Sequence, residues 1–447
     1  MQEVRKNLKR FLSKYKDELP NEALKFIRVK TREVEDPFPQ MYLLMKVHKT
    51  PLKTRPVVSC SGSLLHPLGV WLDTELQQIA KNVPSFIGSS YDLKEALAEI
   101  GQLPPNARLF TADAVSMYTN IDTYQALGSI SSHLRANPLY TETAGIITAA
   151  LELIMNNNIF QFGDSYFHQL TGTAMGTPPA CCYATIYYAI KEVYLMNHYS
   201  DNLLFYKRYI DDVFAIWVDN NTSLKFEDLE KDMNFHRLRW EVQPLSTSVV
   251  FLDMTISIIN NKIHTIIYEK ALNLYLYISP HSAHPPGVLA GLIIGNILRI
   301  HHLCSDKNDK LEYYNKFYKR LRNRGYLPKQ LNSLFNKGFL LAFTKPMPTT
   351  NRKNKNRLQP SVFQDRNTKK SMILHIPYHP RNPPTTQIQQ AFRNDFLDNQ
   401  SEKSNINRLI VAYSRPRNLG EILSYRRIDT YNGPPVSSYI MTRDRRA

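Results

Sequence analysis

Two hydrophobic periods alternate along the chain and divide it into helical and extended stretches. Residues 1–35 carry apolar positions at helical spacing among basic ones, interrupted by Pro20. "MYLLMKVHKTPLKTRPVVSCSGS" (41–63) predicts two short strands around a basic turn that holds Lys49, Lys53 and Arg55. Helical spacing returns over 64–82 and 91–100. "RLFTADAV" (108–115) is strand-like, and a long helical stretch runs on to about 157. Residues 159–170 predict a hairpin turning at Gly163 and Asp164. "GTAMGTPPACCYATIYYAIKEVYLMNHY" (172–199) predicts a loop feeding a helix whose first turn suits Pro178 and Pro179. A hairpin over 204–218, a helix over 223–236 and strands at 238–243, 249–258 and 262–278 come next. Helices resume after Pro286 and continue to about 343.

The pattern then lapses. Residues 345–370 hold eight Lys or Arg, three Pro and one acid, with almost no apolar period, which predicts a linker or solvated loop. Beyond it, "MILHIPY" and "RLIVAYS" restore apolar character and predict a small closing subdomain over 371–432.

Composition adds a partner to this picture. Of 447 residues, 43% are hydrophobic, enough for a full core, but 56 Lys+Arg against 39 Asp+Glu leave a net charge of +17. That excess points to a polyanion, nucleic acid before anionic membrane. The most apolar stretch, "GVLAGLIIGNILRI" (287–300), is too short to span a bilayer and contains Asn296 and Arg299. Cys60, Cys181, Cys182 and Cys304 have neither zinc nor disulfide-framework spacing, so a reducing, intracellular compartment is expected.

Two apolar strands end in acids. "YKRYIDDVFAIW" (206–217) sets Asp211 and Asp212 side by side, and "FTADAVSMYTNID" ends its apolar run at Asp113. Adjacent carboxylates repel, and burying one unpaired is costly. An acidic hairpin tip is a sufficient reading of the pair alone, since Asp suits turns. Two strand ends brought together would instead form a hard-oxygen site for Mg²⁺, and two ions could drive an in-line phosphoryl displacement. Alternation along a strand favours Asp113 and Asp211 as ligands, with Asp212 assisting. A third acid between apolar residues, Asp253 in "FLDMTI", is expected to be structural or to grip a primer. His281, His284 and Cys304 have spacing too loose for zinc, and flanking prolines favour a loop.

Taken in order, these stretches resemble a known family. "MYLLMKVHKTP…RPVVS", "TADAVSMYTNI", "GTAMGTPPACCYAT", "YKRYIDDVFAIW", "VVFLDMTI" and "YISPHSAHP" are similar to the reverse transcriptases of Penelope-like retroelements, relatives of telomerase. Looser similarity in "RIHHLCS", "RGYLP" and "RPRNLGEIL" extends it over roughly residues 40 to 425. The helix after "GTAMGT" departs from the family pattern at Ala180-Cys181-Cys182-Tyr183-Ala184-Thr185, and Ala114 stands where Val is usual.

The resemblance implies an α+β right-hand polymerase, in its polymerase portion without the GIY-YIG nuclease domain that many such elements carry. Its parts would be a basic N-terminal extension (1–40), fingers (41–105), palm (106–278), thumb (279–344), basic linker (345–370) and a thumb-associated subdomain (371–447). It implies RNA-directed DNA synthesis in the nucleus from an RNA template, a DNA primer and dNTPs, with no membrane partner. Asp113, Asp211 and Asp212, with Ala114 beside them, would hold two Mg²⁺ ions, Mn²⁺ being the alternative metal. Lys46 and Arg55 would neutralise the triphosphate. Tyr118 would lie beneath the sugar, or be an ordinary core aromatic. Met175 and Gly176 would approach the nucleotide; Gly172, Tyr209 and Lys270 would meet template and primer. A conformational turn is the rival reading of Gly172. A non-catalytic nucleic-acid-binding remnant and an RNA-dependent RNA polymerase are the competing functions.

Overall fold

Pro20 divides the first helical stretch as its missing N–H and fixed φ require. Helices α1 (Gln2–Lys14) and α2 (Asn21–Arg32) flank it. The structure is a computed structural model that describes residues 1–46, 51–220, 223–285, 287–349, 370–397 and 406–414. It divides into two units, one of residues 1–277 with 293–366, the other of 278–292 with 367–447. Lys49, most of the basic run and "RPRNLGEIL" lie outside the described residues.

Among the described residues the first unit holds three sheets. Strands β1 (Gln40–Lys46) and β2 (Lys53–Ser59) form an antiparallel hairpin. Helices α3 (His66–Lys81) and α4 (Ser90–Ala98) follow, then strand β3 (Ala107–Ala114). The predicted long helix is three: α5 (Met117–Asn120), α6 (Thr123–Ala136) and α7 (Ala144–Met155). Asp122 caps α6 through the Gln125 N–H, so a new helix begins where the sequence suggested continuity. The hairpin β4 (Ile159–Phe162) and β5 (Ser165–His168) turns at Gly163 as predicted and extends the first sheet in the order β2-β1-β4-β5. Helix α8 (Ala180–His198) leads to strands β6 (Leu203–Tyr209) and β7 (Asp212–Val218), helix α9 (Phe226–Asp232) and strand β8 (Trp240–Val242).

The second sheet has the antiparallel order β6-β7-β3-β8, with β3 and β7 central. The predicted strand over 249–258 folds back on itself as β9 (Ser248–Phe251) and β10 (Met254–Ile259). Leu252, at φ +50°, and Asp253 make that turn, and β11 (Lys262–Ile267) completes a third sheet. Strand structure stops at Ile267, short of the expected 278. Helices α10 (Val288–Leu303), α11 (Lys307–Asn323) and α12 (Pro328–Thr344) follow.

In the second unit, strands β12 (Lys370–Pro377) and β13 (Ile406–Ser414) pair in parallel, with a helix Thr385–Phe392 between them in the chain. Among the described residues no helix is long and apolar enough to cross a membrane.

The largest core cluster joins α1–α3, α6–α8 and residues of β3, β6 and β7, and it includes Tyr183, Tyr187, Tyr188, Phe110 and Trp217. Both central strands are therefore fixed by packing along their length, and only their ends are free to carry polar chemistry.

Candidate active site

Because β3 and β7 run antiparallel, the end of one lies beside the start of the other. Asp113, next to last in β3, is paired in register with Asp212, the first residue of β7. The Ala114 N–H donates to the Asp211 carbonyl at 2.9 Å, which makes that neighbouring pair the hydrogen-bonded one. Asp113 and Asp212 thus form a non-hydrogen-bonded pair, whose side chains share a face and whose Cα atoms stand about 4.5 Å apart. Asp211 sits outside the regular strand, in the two-residue turn with Ile210. Asp212, rather than Asp211, is therefore the direct cross-strand neighbour of Asp113.

The electrostatics agree with this geometry. Burial, then Asp211, then Asp113, push the Asp212 carboxyl up to about 6. Among the described residues no Lys or Arg forms an ion pair with Asp211 or Asp212. No group of three or more His, Cys, Asp or Glu among the described residues is arranged to hold a metal ion by itself.

The cation nearest to these acids in the sequence is spent elsewhere. Arg208, 1% exposed, binds Glu192, 0% exposed, through both carboxylate oxygens, Nε to Oε1 at 2.6 Å and Nη2 to Oε2 at 2.7 Å. Its Nη1 donates to the Ile210 carbonyl at 2.8 Å and its Nη2 to the Thr185 carbonyl at 2.9 Å, while Ser85 Oγ donates to Glu192 at 2.6 Å. Ile210 is held at φ +55°, a left-handed conformation that is costly for a β-branched residue by about 1–3 kcal/mol. A buried guanidinium thus clamps α8 to the strained turn that presents the acids. Sequence reasoning missed this pair, although a signal was there. Arg208 shares a strand face with buried Tyr206, and Glu192 lies one helical turn from buried Tyr188.

Tyr118 in α5 is half-buried, with its hydroxyl 3.2 Å from Cys181 Sγ at the start of α8. Burial first, then Cys181, Asp211 and Tyr209, push its phenol well up, so Tyr118 and Tyr209 belong to the aspartate neighbourhood. Gly172, at φ +73°, approaches the same turn: a Cβ there would collide with the Tyr118 carbonyl and with Thr119 Cα. Thr173 N–H donates to that carbonyl at 2.6 Å. Gly176, at φ +122°, would drive a Cβ into the Val58 carbonyl, and the Val58 N–H donates to Met175 at 2.8 Å. Both glycines are accounted for by the protein's own backbone. The loop 172–177 ties α5 to β2.

Arg55 is exposed on β2, three residues outward from that tie, and Lys46 faces Lys53 across the β1–β2 ladder. Like charges opposed on a strand pair are destabilising unless an anion joins them. Lys270 lies elsewhere, lining a cavity of about 150 Å³ with Asp253, Arg299, Tyr275 and Arg320, and the three aspartates are not among its lining. There Asp253 pairs with Arg299 at 3.2 Å and accepts from Ser90, and Glu269 binds Arg320 through two bonds. Cys304 is a buried free thiol.

Residues 276–336 match the family described as the animal helix-turn-helix domain. No curated protein matches the chain. Among solved structures, a Candida albicans telomerase in complex with a fragment of telomeric RNA is similar at 12% identity and a TM-score of 0.49, over 74% of this chain and 58% of that one. An RNA-dependent RNA polymerase of a Sicinivirus is similar at 13% identity and a TM-score of 0.44, over 71% of each chain. A Candida tropicalis telomerase has 12% identity and a TM-score of 0.40, over 60% of this chain and 52% of that one. The chain spans little more than half of either telomerase.

Proposed function

We propose that the protein is a nucleic-acid polymerase that extends a primer 3′-hydroxyl by phosphoryl transfer, and in particular an RNA-directed DNA polymerase. The observation that carries the reading is the cross-strand pair Asp113–Asp212 with Asp211 at the adjoining turn, three carboxylates at one end of a rigid, buried sheet.

These residues suit Mg²⁺. The donors are all hard oxygens, and Mg²⁺ is held by one or two carboxylates together with water and substrate phosphates rather than by an all-protein cage. Burial first, and then crowding by Asp211 and Asp113, raises the Asp212 carboxyl, and a divalent cation would relieve the crowding. Bound Mg²⁺ would activate the attacking hydroxyl and stabilise the leaving pyrophosphate.

The chain's own residues do the rest. Arg208 and Glu192 fix the turn that aims Asp211. Arg55 and Lys46 offer guanidinium and ammonium groups to triphosphate oxygens, and Tyr118 lies beneath the sugar. The order of motifs supports RNA as template, DNA as primer and dNTPs as substrates, in a nuclear, Penelope-like retroelement setting.

Primer extension tests this directly. Expected is Mg²⁺-dependent synthesis on an RNA template with dNTPs preferred over rNTPs. Preference for rNTPs would make it an RNA polymerase. Nucleic-acid binding that is indifferent to Mg²⁺, with no synthesis, would leave a binding remnant.

A further inference from the structure

The N-terminal helices carry charge that the palm chemistry does not use. Arg5, Leu8, Lys9, Leu12 and Ser13 of α1 share one face, at spacings of three and four residues, as do Arg28, Thr31 and Arg32 of α2. These two faces line a single groove of about 280 Å³. Leu8 and Leu12 are buried at its floor. Along each helix the two basic residues stand about 6 Å apart along the axis, four residues at 1.5 Å each. Among the described residues none of the four cations has an acidic partner; the N-terminal ion pairs are Lys16–Asp17 and Lys30–Glu33. Thr31 Oγ1 is buried at the groove with no hydrogen-bond partner. Leaving a buried hydroxyl unmatched is costly, and four unneutralised cations around it add their mutual repulsion.

We propose that the α1–α2 groove is a second nucleic-acid site, which binds a run of backbone phosphates through Arg5, Lys9, Arg28 and Arg32. A phosphodiester backbone suits it because it presents oxygen acceptors and one charge per nucleotide along a continuous line. Guanidinium forks match such oxygens two bonds at a time. The proposal needs no catalysis and stands whether or not the palm is active.

The test measures binding of a labelled single-stranded RNA, and of DNA of the same sequence, by fluorescence anisotropy over a range of salt. The groove variant carries Arg5→Gln, Lys9→Gln, Arg28→Gln and Arg32→Gln. A control removes equal charge outside the groove, with Lys6→Gln, Arg10→Gln, Lys14→Gln and Lys25→Gln. Circular dichroism and thermal melting verify that both remain folded.

The groove variant is expected to make the log–log salt slope shallower by roughly 2–3, at about 0.7 per phosphate contact, with affinity down at least about tenfold. The control should stay within about twofold. Loss with both RNA and DNA, or with RNA alone, supports the site and tells whether the 2′-hydroxyl contributes. Equal losses in groove variant and control would overturn it, leaving only diffuse charge. Competition by polyglutamate as effective as by unlabelled RNA would also overturn it, in favour of an acidic-protein partner.

Discussion

Strands β1 and β7 each run seven residues, are rich in apolar side chains and occupy interior positions in four-stranded sheets, yet they meet opposite fates. In β7 every residue after Asp212 is buried. In β1 the successive residues Tyr42, Leu43, Leu44 and Met45 are 46%, 44%, 49% and 54% exposed, so both faces meet solvent. The difference lies in the neighbours. β7 pairs along its length with β6 and β3 and packs against helices, whereas β1 meets β4 in register at one residue, Gln40 opposite Gln161. An apolar strand is therefore not a buried strand. β7 makes a fixed base for chemistry, and the β1–β2 hairpin is a projecting arm suited to touching something outside the protein.

The largest effect expected from this contrast is catalytic. Asp211→Asn, at the end of the fixed base, should lower primer extension by at least about 10³-fold, the loss of several kcal/mol of charge stabilisation. Filter binding should show template–primer affinity changed only a few-fold. Arg55→Ala, on the projecting arm, should instead raise the KM for dNTP with a smaller effect on kcat. If the two variants gave the same kinetic signature, the division of labour between base and arm would fail.

Stability should show the contrast next. Phe214→Ala in β7 is expected to cost about 3–5 kcal/mol in denaturant unfolding, and Leu44→Ala in β1 within about 0.5 kcal/mol. Comparable losses would mean that the arm is packed in solution.

A smaller effect concerns the loop joining the two regions. Gly172→Ala meets a backbone collision at the Tyr118 carbonyl as well as a left-handed φ, whereas Gly62→Ala, at φ +80°, meets open space. Both should destabilise, and Gly172→Ala by at least about 1 kcal/mol more than Gly62→Ala. Equal melting shifts would show that the close approach costs nothing.

An effect of similar size is expected on substrate choice. Tyr118→Val should raise rNTP use relative to dNTP by roughly tenfold, the removal of a steric clash with the 2′-hydroxyl. An unchanged ratio with a lowered melting temperature would return Tyr118 to the core.

Much of this arrangement is legible in the amino-acid sequence. Two acids between apolar halves, as in "YIDDVF", predict a hairpin with the acids near its tip, because a carboxylate inside an apolar strand has no other inexpensive place. Local rules also reach Pro20 between two helices, the turn at Gly163 and the loop feeding α8. Each rests on residues within a few positions of one another, where backbone sterics and hydrophobic period decide the outcome.

What the tertiary structure alone decided involves partners far apart in the chain. Register across β3 and β7, set by the packing of residues 107–112 against 213–218, made Asp212 the neighbour of Asp113. Arg208 found Glu192 and the Ile210 carbonyl, so the obvious cation was withdrawn from the acids it precedes. Gly172 and Gly176 are required by carbonyls fifty or more positions away, at Tyr118 and Val58. Apolar period cannot tell β1 from β7, because burial depends on which other elements come to cover a strand, and those contacts exist only once the whole chain has folded.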